Sequence, residues 1–341
     1  MYIEDYNYDL PESKIAKYPP KVRGESKLLV LNKKTGIIEH NTYKNFIDYV
    51  KSGDIVVLNN TKVIKARLIV YRGDKKREFL LLERHTHILD AHHWKILYKG
   101  KIKSGEIYKI NSAEILVEEV FKDGLARISS ESDLLKLSQK SGSVPLPPYI
   151  KRTTNVEDIN RYQTEFAKFE GSVAAPTASL NFTENLIEKL QTKGVELVYL
   201  TLHVGLGTFL PIRTENIEDH KMHSEYFEIP PSTSKTIIQA KNNNKTVFAV
   251  GTTVARTLEF AHTNIFNLDN KTITGEADIF IYPGYKFQIV DCLLTNFHAP
   301  KTTVLMLASA FAGWENIKNA YDIALEHDYK LLSYGDSMLI I

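Results

Sequence analysis

The sequence contains a single cysteine, Cys292, among 341 residues. A lone thiol excludes an internal disulfide and a metal site built from several cysteines. No run approaches the roughly 20 apolar residues that a membrane-spanning helix needs. The N-terminal segment MYIEDYNYDLPE has neither the basic start nor the apolar stretch of a secretory signal. We therefore expect a soluble, cytoplasmic protein.

Net charge is also nearly absent, at +2, but the charged residues are unevenly distributed. Residues 1–152 contain 28 Lys/Arg and 19 Asp/Glu, a balance of +9, whereas the rest of the chain contains 15 and 22, a balance of −7. A basic half indicates contact with a polyanion such as a nucleic acid. A solvated, lysine-rich surface explains the same counts equally well, so charge alone leaves both interpretations open.

The chain has no internal repeat, and its clearest compositional break is a proline-rich segment. This segment, SGSVPLPPYIKR (Ser141–Arg152), predicts a rigid extended connector. Upstream of it, short β-rich segments alternate with turns, and no convincing long helix interrupts them. They predict a small barrel or sandwich between about Leu68 and Val144. The segments are DIVVLNN, ARLIVYRG, REFLLLER, HWKILYKG, GEIYKI, AEILVEEVFKDG and LARISS.

Downstream of the connector, strand-like and helix-like segments alternate, which predicts a mixed α/β domain with a largely buried sheet. FTENLIEKLQTKG predicts a helix with Thr183 as its N-cap and Gly194 just past its end. PSTSKTIIQAKNNN predicts a helix that begins near Ser232. Further helices are predicted in TTVARTLEFAHTN and NFHAPKTTVLMLASAFAG, and strands in VELVYLTLHVG and KTVFAVG.

Histidines and a glutamate gather in LTLHVGLGTFLPIRTENIEDHKMHSEYF, at His203, His220, His223 and Glu225. These are ligand types for zinc or iron, but the spacing is not that of HExxH. An acid–base group fits better, because imidazoles and a carboxylate can be shifted towards neutral pH by burial. The third interpretation is that these histidines lie in a core, where their hydrogen bonds are satisfied. If the segment is a strand, His223 and Glu225 point the same way. The other histidine-rich run, RHTHILDAHHW, predicts a solvent loop.

Two backbone segments have the character of ligand sites. HVGLGTF ends a predicted strand, where Gly205 and Gly207 let a ligand approach the backbone and Thr208 adds a hydroxyl. Because it is not a GxGxxG that opens a helix, it does not support dinucleotide binding. VFAVGTTVARTLE places Thr252 and Thr253 at a strand-to-helix turn, which offers free N–H groups to a carboxylate or phosphate.

Three further loops carry candidate residues. GSVAAPTASLNFT (Gly171–Thr183) is rich in small residues, and either packs tightly or exposes its backbone to a ligand. IFIYPGYKF places Tyr282 and Tyr285 around a Pro-Gly turn, where they can stack on a base. TNFHAP places His298 at a strand end.

These segments belong to an ordered set that runs from about Tyr8 to Ile341. The set is YDLPESKIA, GDIVVLNNTKVIKARL, VPLPPYIKR, RYQTEFA, VAAPTASLNFT, LTLHVGLGTF, DHKMHSEYF, VGTTVARTLE, FIYPGY, TNFHAPKTT and YGDSMLII. Together and in this order they resemble the S-adenosylmethionine:tRNA ribosyltransferase-isomerase family of queuosine biosynthesis. The specificity comes from the whole set, since any one motif is weak.

The resemblance implies a substrate, a reaction and an architecture. Family members act on tRNA that carries 7-aminomethyl-7-deazaguanine at the wobble position of GUN anticodons. They transfer and isomerise the ribosyl moiety of S-adenosylmethionine, releasing adenine and methionine and forming epoxyqueuosine, without a metal. The family architecture implies a large discontinuous α/β domain, residues 1–67 and 149–341, with an inserted small β-barrel at residues 68–148. We also expect a monomer.

The implied chemistry needs proton transfers, because the sulfonium acidifies the C5′–H and the departing adenine takes up a proton. We expect Glu225 or His223 as the base and His203 or His298 as its partner or the acid, with His220 beside them. Residues expected to bind S-adenosylmethionine are Gly205, Gly207, Thr208, Phe209, Thr177, Thr252, Thr253, Tyr282 and Tyr285. Basic residues expected to contact tRNA phosphates are Lys21, Arg23, Lys27, Arg72, Lys75, Lys76, Arg77, Lys151 and Arg152.

Two departures from the family pattern lie in one motif. Where the family usually reads AAPTAGLHFT, this chain has Ser179 and Asn181 in place of the glycine and the histidine. Asparagine can hydrogen-bond a substrate but cannot act as a general acid or base. Two alternatives therefore stay open: a catalytically impaired tRNA-binding homologue, and a metal-dependent hydrolase that uses His220, His223 and Glu225.

Overall fold

Residues 1–84, 91–205, 212–267 and 270–341 are described by the structure, a computed structural model. The strands are β1 Lys27–Leu31, β2 Ile38–Thr42, β3 Ile55–Asn59, β4 Thr61–Val63, β5 Arg67–Arg72, β6 Lys75–Arg84, β7 His93–Lys99, β8 Ile107–Ile110, β9 Ala113–Val120, β10 Leu125–Ser129, β11 Phe169–Ser172, β12 Glu196–Leu202, β13 Glu225–Ile229, β14 Val247–Val250, β15 Ile273–Ala277, β16 Cys292–Asn296 and β17 Ser337–Ile340. The α-helices are α1 Leu134–Ser141, α2 Val156–Arg161, α3 Glu184–Thr192, α4 Pro231–Asn242, α5 Thr252–Phe260, α6 His262–Phe266, α7 Thr303–Ala312 and α8 Trp314–Glu326. Short 3₁₀ helices lie at Ile3–Tyr6, Glu12–Lys14, Tyr43–Tyr49, Lys122–Gly124, Thr177–Ser179 and Ile217–Asp219.

The larger sheet has the strand order β15-β13-β12-β3-β14-β16-β17-β1-β2, and its central strands β12, β3, β14 and β16 run parallel. Every residue of β3 is buried, because alternate side chains enter two different cores. Ile55 and Val57 pack on one side, and Val56 and Leu58 on the other. Continuous apolar strands of this kind are typical of a parallel sheet that is covered on both faces. The predicted mixed α/β fold is confirmed.

The smaller sheet is a closed antiparallel barrel with the order β10-β7-β6-β5-β8-β9. Alternate residues such as Leu68 and Val70 fill its interior together with Phe79 and Leu81, as expected for strands with one buried face. The barrel alternative is therefore confirmed over the sandwich. The segment DIVVLNN, grouped with the barrel strands by composition, instead forms β3 of the larger sheet. The domain bounds of 1–67, 68–148 and 149–341 stay a prediction.

Helix α1 is not predicted from the sequence, and helix α4 begins slightly before its predicted start. Helix α1 begins after the N-cap Asp133, whose carboxylate accepts hydrogen bonds from the backbone N–H groups of Leu135 and Lys136. The helix has only eight residues and follows a series of β-rich segments, so its periodicity is hard to detect. Helix α4 begins at Pro231 and not near Ser232, since proline has a helical φ and needs no N–H in the first turn.

Helix α3 has the predicted ends. The Thr183 side chain accepts a hydrogen bond from the Leu186 N–H at 3.1 Å, and Gly194 follows the helix with φ +82°, as helix termini require. Among the residues described, no helix combines the length and apolar composition that crossing a membrane requires.

The proline-rich connector is fixed against the loop that precedes β17. The Tyr149 and Ser333 hydroxyls lie 2.5 Å apart. Arg152 donates two hydrogen bonds to Asp158, at 2.6 and 2.7 Å, and the Tyr334 hydroxyl donates to the same carboxylate at 2.9 Å. The connector thereby brings Tyr149 to the edge of the larger sheet where the candidate site lies.

Candidate functional site

A cleft opens at the carboxyl ends of the parallel strands β14 and β16, the edge at which α/β sheets bind ligands. Strand β14 leads into Gly251, and β16 leads into Phe297 and His298. The cleft encloses about 690 Å³ of empty space, its open mouth included. Its walls include Tyr149, Thr177, Thr252, Thr253, Asn296, His298 and Ser333.

One wall of the cleft is the start of helix α5. Gly251 adopts φ +98°, and because it has no side chain, the first N–H groups of α5 receive no side-chain cap. Uncapped N–H groups and the positive end of the helix dipole attract anionic or electron-rich ligand atoms. Thr252 and Thr253 lie at this end, as the strand-to-helix motif predicted.

Three buried polar atoms around the cleft have no hydrogen-bond partner within the part of the chain that the structure describes. They are Thr253 Oγ1, Asn296 Oδ1 and Thr303 Oγ1, and their residues are at most 8% exposed. Each such atom costs about 1–3 kcal/mol when it stays unpaired. Thr253 and Asn296 line the cleft, so a polar ligand there can satisfy the atoms of these two residues.

Another part of the wall has strained backbone. Leu332 adopts φ +70°, in the left-handed region that a leucine rarely occupies. Its N–H donates to the Phe297 carbonyl at 3.1 Å, which holds the loop beside the end of β16. Such conformations cost on the order of 1–3 kcal/mol and concentrate at ligand sites.

His298 is the half-buried histidine that lines the cleft. Its Nε2 lies 2.8 Å from Thr295 Oγ1, its N–H donates to the Tyr321 hydroxyl oxygen at 2.8 Å, and its carbonyl accepts from the Tyr8 hydroxyl. Burial lowers the pKa of His298 to about 3. The imidazole is therefore neutral at physiological pH, and its hydrogen bonds fix it in position.

The neutral His298 makes the free energy of unfolding depend on pH. Because its folded pKa of about 3 is below its ordinary value of 6.5, the unfolded state binds more protons between these two values. The free energy of unfolding should therefore fall by up to about 1.4 kcal/mol per pH unit as the pH drops below 6.5. We expect His298→Gln to flatten this slope in urea unfolding curves. A variant with the wild-type slope would show that the folded protein does not hold His298 in its neutral form.

Glu225 and Arg256 form a buried ion pair beside the cleft. Each residue is 5% exposed, and the Glu225 Oε1 also accepts the Gly205 N–H at 2.7 Å. Burial lowers the pKa of Arg256 to about 10, an effect that the nearby Asp278 partly opposes. The guanidinium therefore keeps its charge at neutral pH. Since an adjacent cation favours the charged form of a carboxylate, the pair is a fixed arrangement of two charges.

A smaller pocket of about 310 Å³ adjoins the cleft. Both share Thr252, Thr253 and Val304 as lining residues, so one ligand can extend through them. Arg256 lines the smaller pocket, and the rest of its lining is mainly apolar. The start of α5 thus borders both spaces.

His203 lies at the end of β12 but lines neither pocket. Its Nδ1 is 2.8 Å from Thr61 Oγ1, and its ring stacks with Tyr226 at a centroid distance of 6.2 Å. A Cβ atom at Gly171 would lie 2.8 Å from the ring, so the absence of a side chain there makes room for the imidazole. The small-residue loop therefore packs tightly at this point.

The predicted alignment of His223 with Glu225 is wrong. Strand β13 begins at Glu225, so His223 precedes the strand and is exposed while Glu225 is buried. His220 packs edge-on against Phe280 at 5.1 Å, and burial lowers the pKa of its imidazole. Throughout the described ranges, no group of three His, Cys, Asp or Glu side chains is placed to hold a metal ion. The hydrolase alternative therefore lacks its site there.

The residues predicted to bind S-adenosylmethionine divide into groups. Thr177, Thr252 and Thr253 line the cleft, and Gly205 contacts Glu225. Tyr282 and Tyr285 line neither pocket, and the Tyr285 hydroxyl donates to Glu259 at 3.2 Å. Outside the described residues lie Gly207, Thr208 and Phe209, as do residues 85–90 of the histidine-rich loop.

Sequence reasoning missed Arg256, Asn296 and Tyr149. Arg256 had a detectable signal, since it is the one basic residue in the otherwise uncharged run VFAVGTTVARTL. Asn296 lies within the motif TNFHAP, but asparagine there gave no signal of its own beside His298. Tyr149 lines the cleft and contacts Ser333, which lies 184 residues away in the chain, and no local pattern encodes that distance.

The basic residues predicted to contact tRNA differ in exposure. Exposed members are Lys21, Lys27, Arg72, Lys75, Lys76 and Lys151, and Arg77 is half-buried. Arg23 and Arg152 have internal partners. Arg23 pairs with Glu165 at 2.9 Å with its side chain 15% exposed, and Arg152 pairs with Asp158 with its side chain 11% exposed. These two guanidinium groups stabilise the fold, and their assignment to tRNA stays a prediction.

The two departures from the family pattern lie outside the cleft lining. Asn181 is buried, and its Oδ1 lies 3.5 Å from the Gly24 N–H. Ser179 is fully buried at the end of the 3₁₀ turn Thr177–Ser179. Neither residue borders the cleft or the smaller pocket. These two replacements therefore do not remove a side chain from the lining of the cleft or of the smaller pocket.

Known proteins resemble this chain over nearly its whole length. Residues 3–340 match the family described as "Queuosine biosynthesis protein". The S-adenosylmethionine:tRNA ribosyltransferase-isomerases of Chlorobaculum parvum and Halothermothrix orenii are 50% and 46% identical to this chain. Each alignment covers the full length of both proteins. A solved S-adenosylmethionine tRNA ribosyltransferase from Thermotoga maritima is 32% identical with a TM-score of 0.56, over 99% of this chain and 100% of that one. The chain therefore belongs to the queuosine biosynthesis protein family.

Proposed function

We propose that this protein is an S-adenosylmethionine:tRNA ribosyltransferase-isomerase. It transfers the ribosyl moiety of S-adenosylmethionine to the aminomethyl group of 7-aminomethyl-7-deazaguanine in tRNA and isomerises it, with release of adenine and methionine. The observation that carries the proposal is the cleft at the carboxyl ends of β14 and β16, with its uncapped helix start and its unpaired buried polar atoms. Family membership supports the same reaction.

The cleft suits the reacting part of S-adenosylmethionine. The start of α5 and the polar atoms of Thr253 and Asn296 can bind ribose hydroxyls and the adenine edge. The sulfonium acidifies the C5′–H, so a positioned base can remove that proton. The adenine then leaves with a proton and methionine leaves as a neutral thioether. A partly enclosed site favours these transfers, because bulk water does not compete for the protons.

His298 is the residue we assign to proton transfer in the cleft. It is neutral and lines the space where the ribosyl group would lie. Glu225 is paired with Arg256, so it acts as a fixed charge and its role as the base becomes the weaker alternative. His203, His220 and His223 do not line the cleft. In this assignment the reaction uses no metal.

The substrate tRNA would carry a GUN anticodon, and the modified base would be extruded from its stack to reach the cleft. The hairpin formed by β5 and β6 presents Lys75 and Lys76, which are exposed and have no ion-pair partner within the described ranges. We assign this hairpin to contacts with tRNA phosphates, because unpaired lysines can release counterions from the polyanion on binding. The protein would work in the cytoplasm as a monomer.

The hairpin assignment predicts a change in salt dependence. We expect Lys75→Ala/Lys76→Ala to reduce the slope of log Kd for tRNA against log salt by roughly 1.5, since each phosphate contact contributes about 0.7–0.9. Binding of S-adenosylmethionine should stay unchanged. Lys235→Ala/Lys318→Ala, which removes two exposed lysines from α4 and α8, is the matched control. Equal slopes for the two double variants would contradict a tRNA contact at the hairpin.

The proposed function is tested by a single-turnover incubation. The protein is mixed with S-adenosylmethionine and tRNA that carries the aminomethyl-deazaguanine, without added metal, and the adenine and digested nucleosides are measured by mass spectrometry. We expect epoxyqueuosine and adenine in equal amounts. Tight tRNA binding without adenine release would instead identify a tRNA-binding homologue that has lost the reaction, and Asn181→His would be the next variant.

A further inference from the structure

The smaller pocket beside the cleft has an arginine whose hydrogen-bonding capacity is not used up. Arg256 is 5% exposed, and its guanidinium contacts the carboxylate of Glu225. A guanidinium has five N–H donors. The Arg256 Nη1 has no acceptor within the described part of the chain. A buried cation with an unpaired donor group is unfavourable unless a further acceptor completes its environment.

The rest of the pocket suits a short aliphatic chain that ends in an anion. Met222, Phe280 and Leu307 supply apolar walls, which can accommodate methylene groups and a thioether or sulfonium chain. Thr303 adds a buried hydroxyl without a partner among the described residues. The uncapped start of α5 contributes the positive end of a helix dipole. These features favour a carboxylate, and they do not depend on the charge of Arg256 alone.

The pocket is also in the right place relative to the cleft. The two spaces share Thr252, Thr253 and Val304, so a ligand whose nucleoside part lies in the cleft can extend its other end to Arg256. A guanidinium binds a carboxylate with two parallel hydrogen bonds where the geometry permits. Because Glu225 already takes one side of the guanidinium, the ligand would use the other.

We infer that Arg256 binds the α-carboxylate of S-adenosylmethionine in the smaller pocket, with Glu225 holding the guanidinium in position. The inference rests on the proposed function and adds to it the site of the amino-acid end of the donor. It makes Arg256 a specificity determinant. The protein would discriminate S-adenosylmethionine from nucleosides with the same ribose and adenine but no carboxylate.

The test compares ligands with and without the carboxylate by isothermal titration calorimetry. The probes are S-adenosylmethionine, decarboxylated S-adenosylmethionine and 5′-methylthioadenosine, each titrated into the full-length protein. We expect the wild type to bind S-adenosylmethionine roughly 10- to 100-fold more tightly than its decarboxylated form, the range of a charge-assisted hydrogen-bonded pair. In Arg256→Gln this preference should fall to less than about threefold.

Two further variants keep the test informative. Glu225→Gln/Arg256→Gln removes both buried charges together, so neither charge is left unpaired to destabilise the fold. This double variant should also lose the preference for the carboxylate. Arg127→Gln alters an arginine of the barrel strand β10 and should keep the wild-type preference. Unchanged binding of 5′-methylthioadenosine to every variant shows that the cleft is intact.

The outcomes separate this inference from the proposed function. If both Arg256 variants lose the same factor for S-adenosylmethionine and for its decarboxylated form, Arg256 does not bind the carboxylate and the inference is overturned. If the wild type binds neither S-adenosylmethionine nor 5′-methylthioadenosine, the proposed function fails first. If the preference for S-adenosylmethionine over its decarboxylated form disappears only in the Arg256 variants, the result supports both the inference and the proposed function.

Discussion

Replacing His298 by asparagine should lower the single-turnover rate of adenine release by about 10²- to 10⁴-fold, the usual contribution of a positioned acid or base. The side chain is neutral and half-buried at the cleft, and its Nε2 bonds to Thr295. Asparagine keeps a hydrogen-bonding group but cannot exchange a proton. The dissociation constant of S-adenosylmethionine should change by less than about threefold, since the loss falls on a proton transfer made in the transition state.

The control for this prediction is a histidine outside the cleft. His262 lies at the start of α6, where its Nδ1 is 2.7 Å from the Glu259 carbonyl. We expect His262→Asn to keep adenine release within about threefold of the wild type, as is usual away from reacting groups. If His298→Asn behaves like His262→Asn, the proton-transfer role must be assigned elsewhere, with Glu225 as the first alternative.

Replacing Glu225 by glutamine should abolish turnover and also destabilise the protein. The substitution leaves the buried Arg256 without its anionic partner, and breaking a buried ion pair in this way costs about 3–5 kcal/mol of unfolding free energy. The loss of turnover follows because Glu225 fixes both Arg256 and the Gly205 backbone. Binding of tRNA should survive at temperatures where the variant stays folded.

A double variant separates the two effects of Glu225. Glu225→Gln/Arg256→Met removes the buried cation as well, so we expect it to recover most of the lost stability while staying inactive. Glu228→Gln, on the same strand but half-buried, should change stability by less than about 1 kcal/mol. Near-normal turnover of Glu225→Gln would remove the ion pair from the mechanism. Urea unfolding and adenine release, measured on the same samples, distinguish these results.

Local sequence patterns were sufficient for the fold class and for one wall of the site. β-Branched and aromatic segments separated by turns predicted the barrel, and alternating elements predicted the α/β sheet. The motif around Thr252 and Thr253 predicted a ligand-binding strand-to-helix turn, and both residues line the cleft. These features depend on neighbouring residues in the chain, which is why a single sequence reveals them.

The arrangement of the charged and titratable groups could not be predicted in the same way. A strand periodicity was assigned to His223 and Glu225, but the strand begins only at Glu225. The pairing of Glu225 with Arg256 depends on the packing of α5 against the far end of the sheet, which brings together residues from different elements. For the same reason, the sequence does not distinguish the exposed Lys75 from Arg23, whose side chain forms an internal ion pair.

The central claim is that S-adenosylmethionine binds in the cleft between the start of α5 and the end of β16. A crystal structure of the protein with S-adenosylhomocysteine, a stable analogue that keeps the adenosine and the carboxylate, tests it most directly. We expect the adenosine beside Thr252, Thr253 and His298, with the amino-acid end towards Arg256. Ligand density elsewhere, for example in the open groove between His40 and His327, with the cleft empty, would contradict the account.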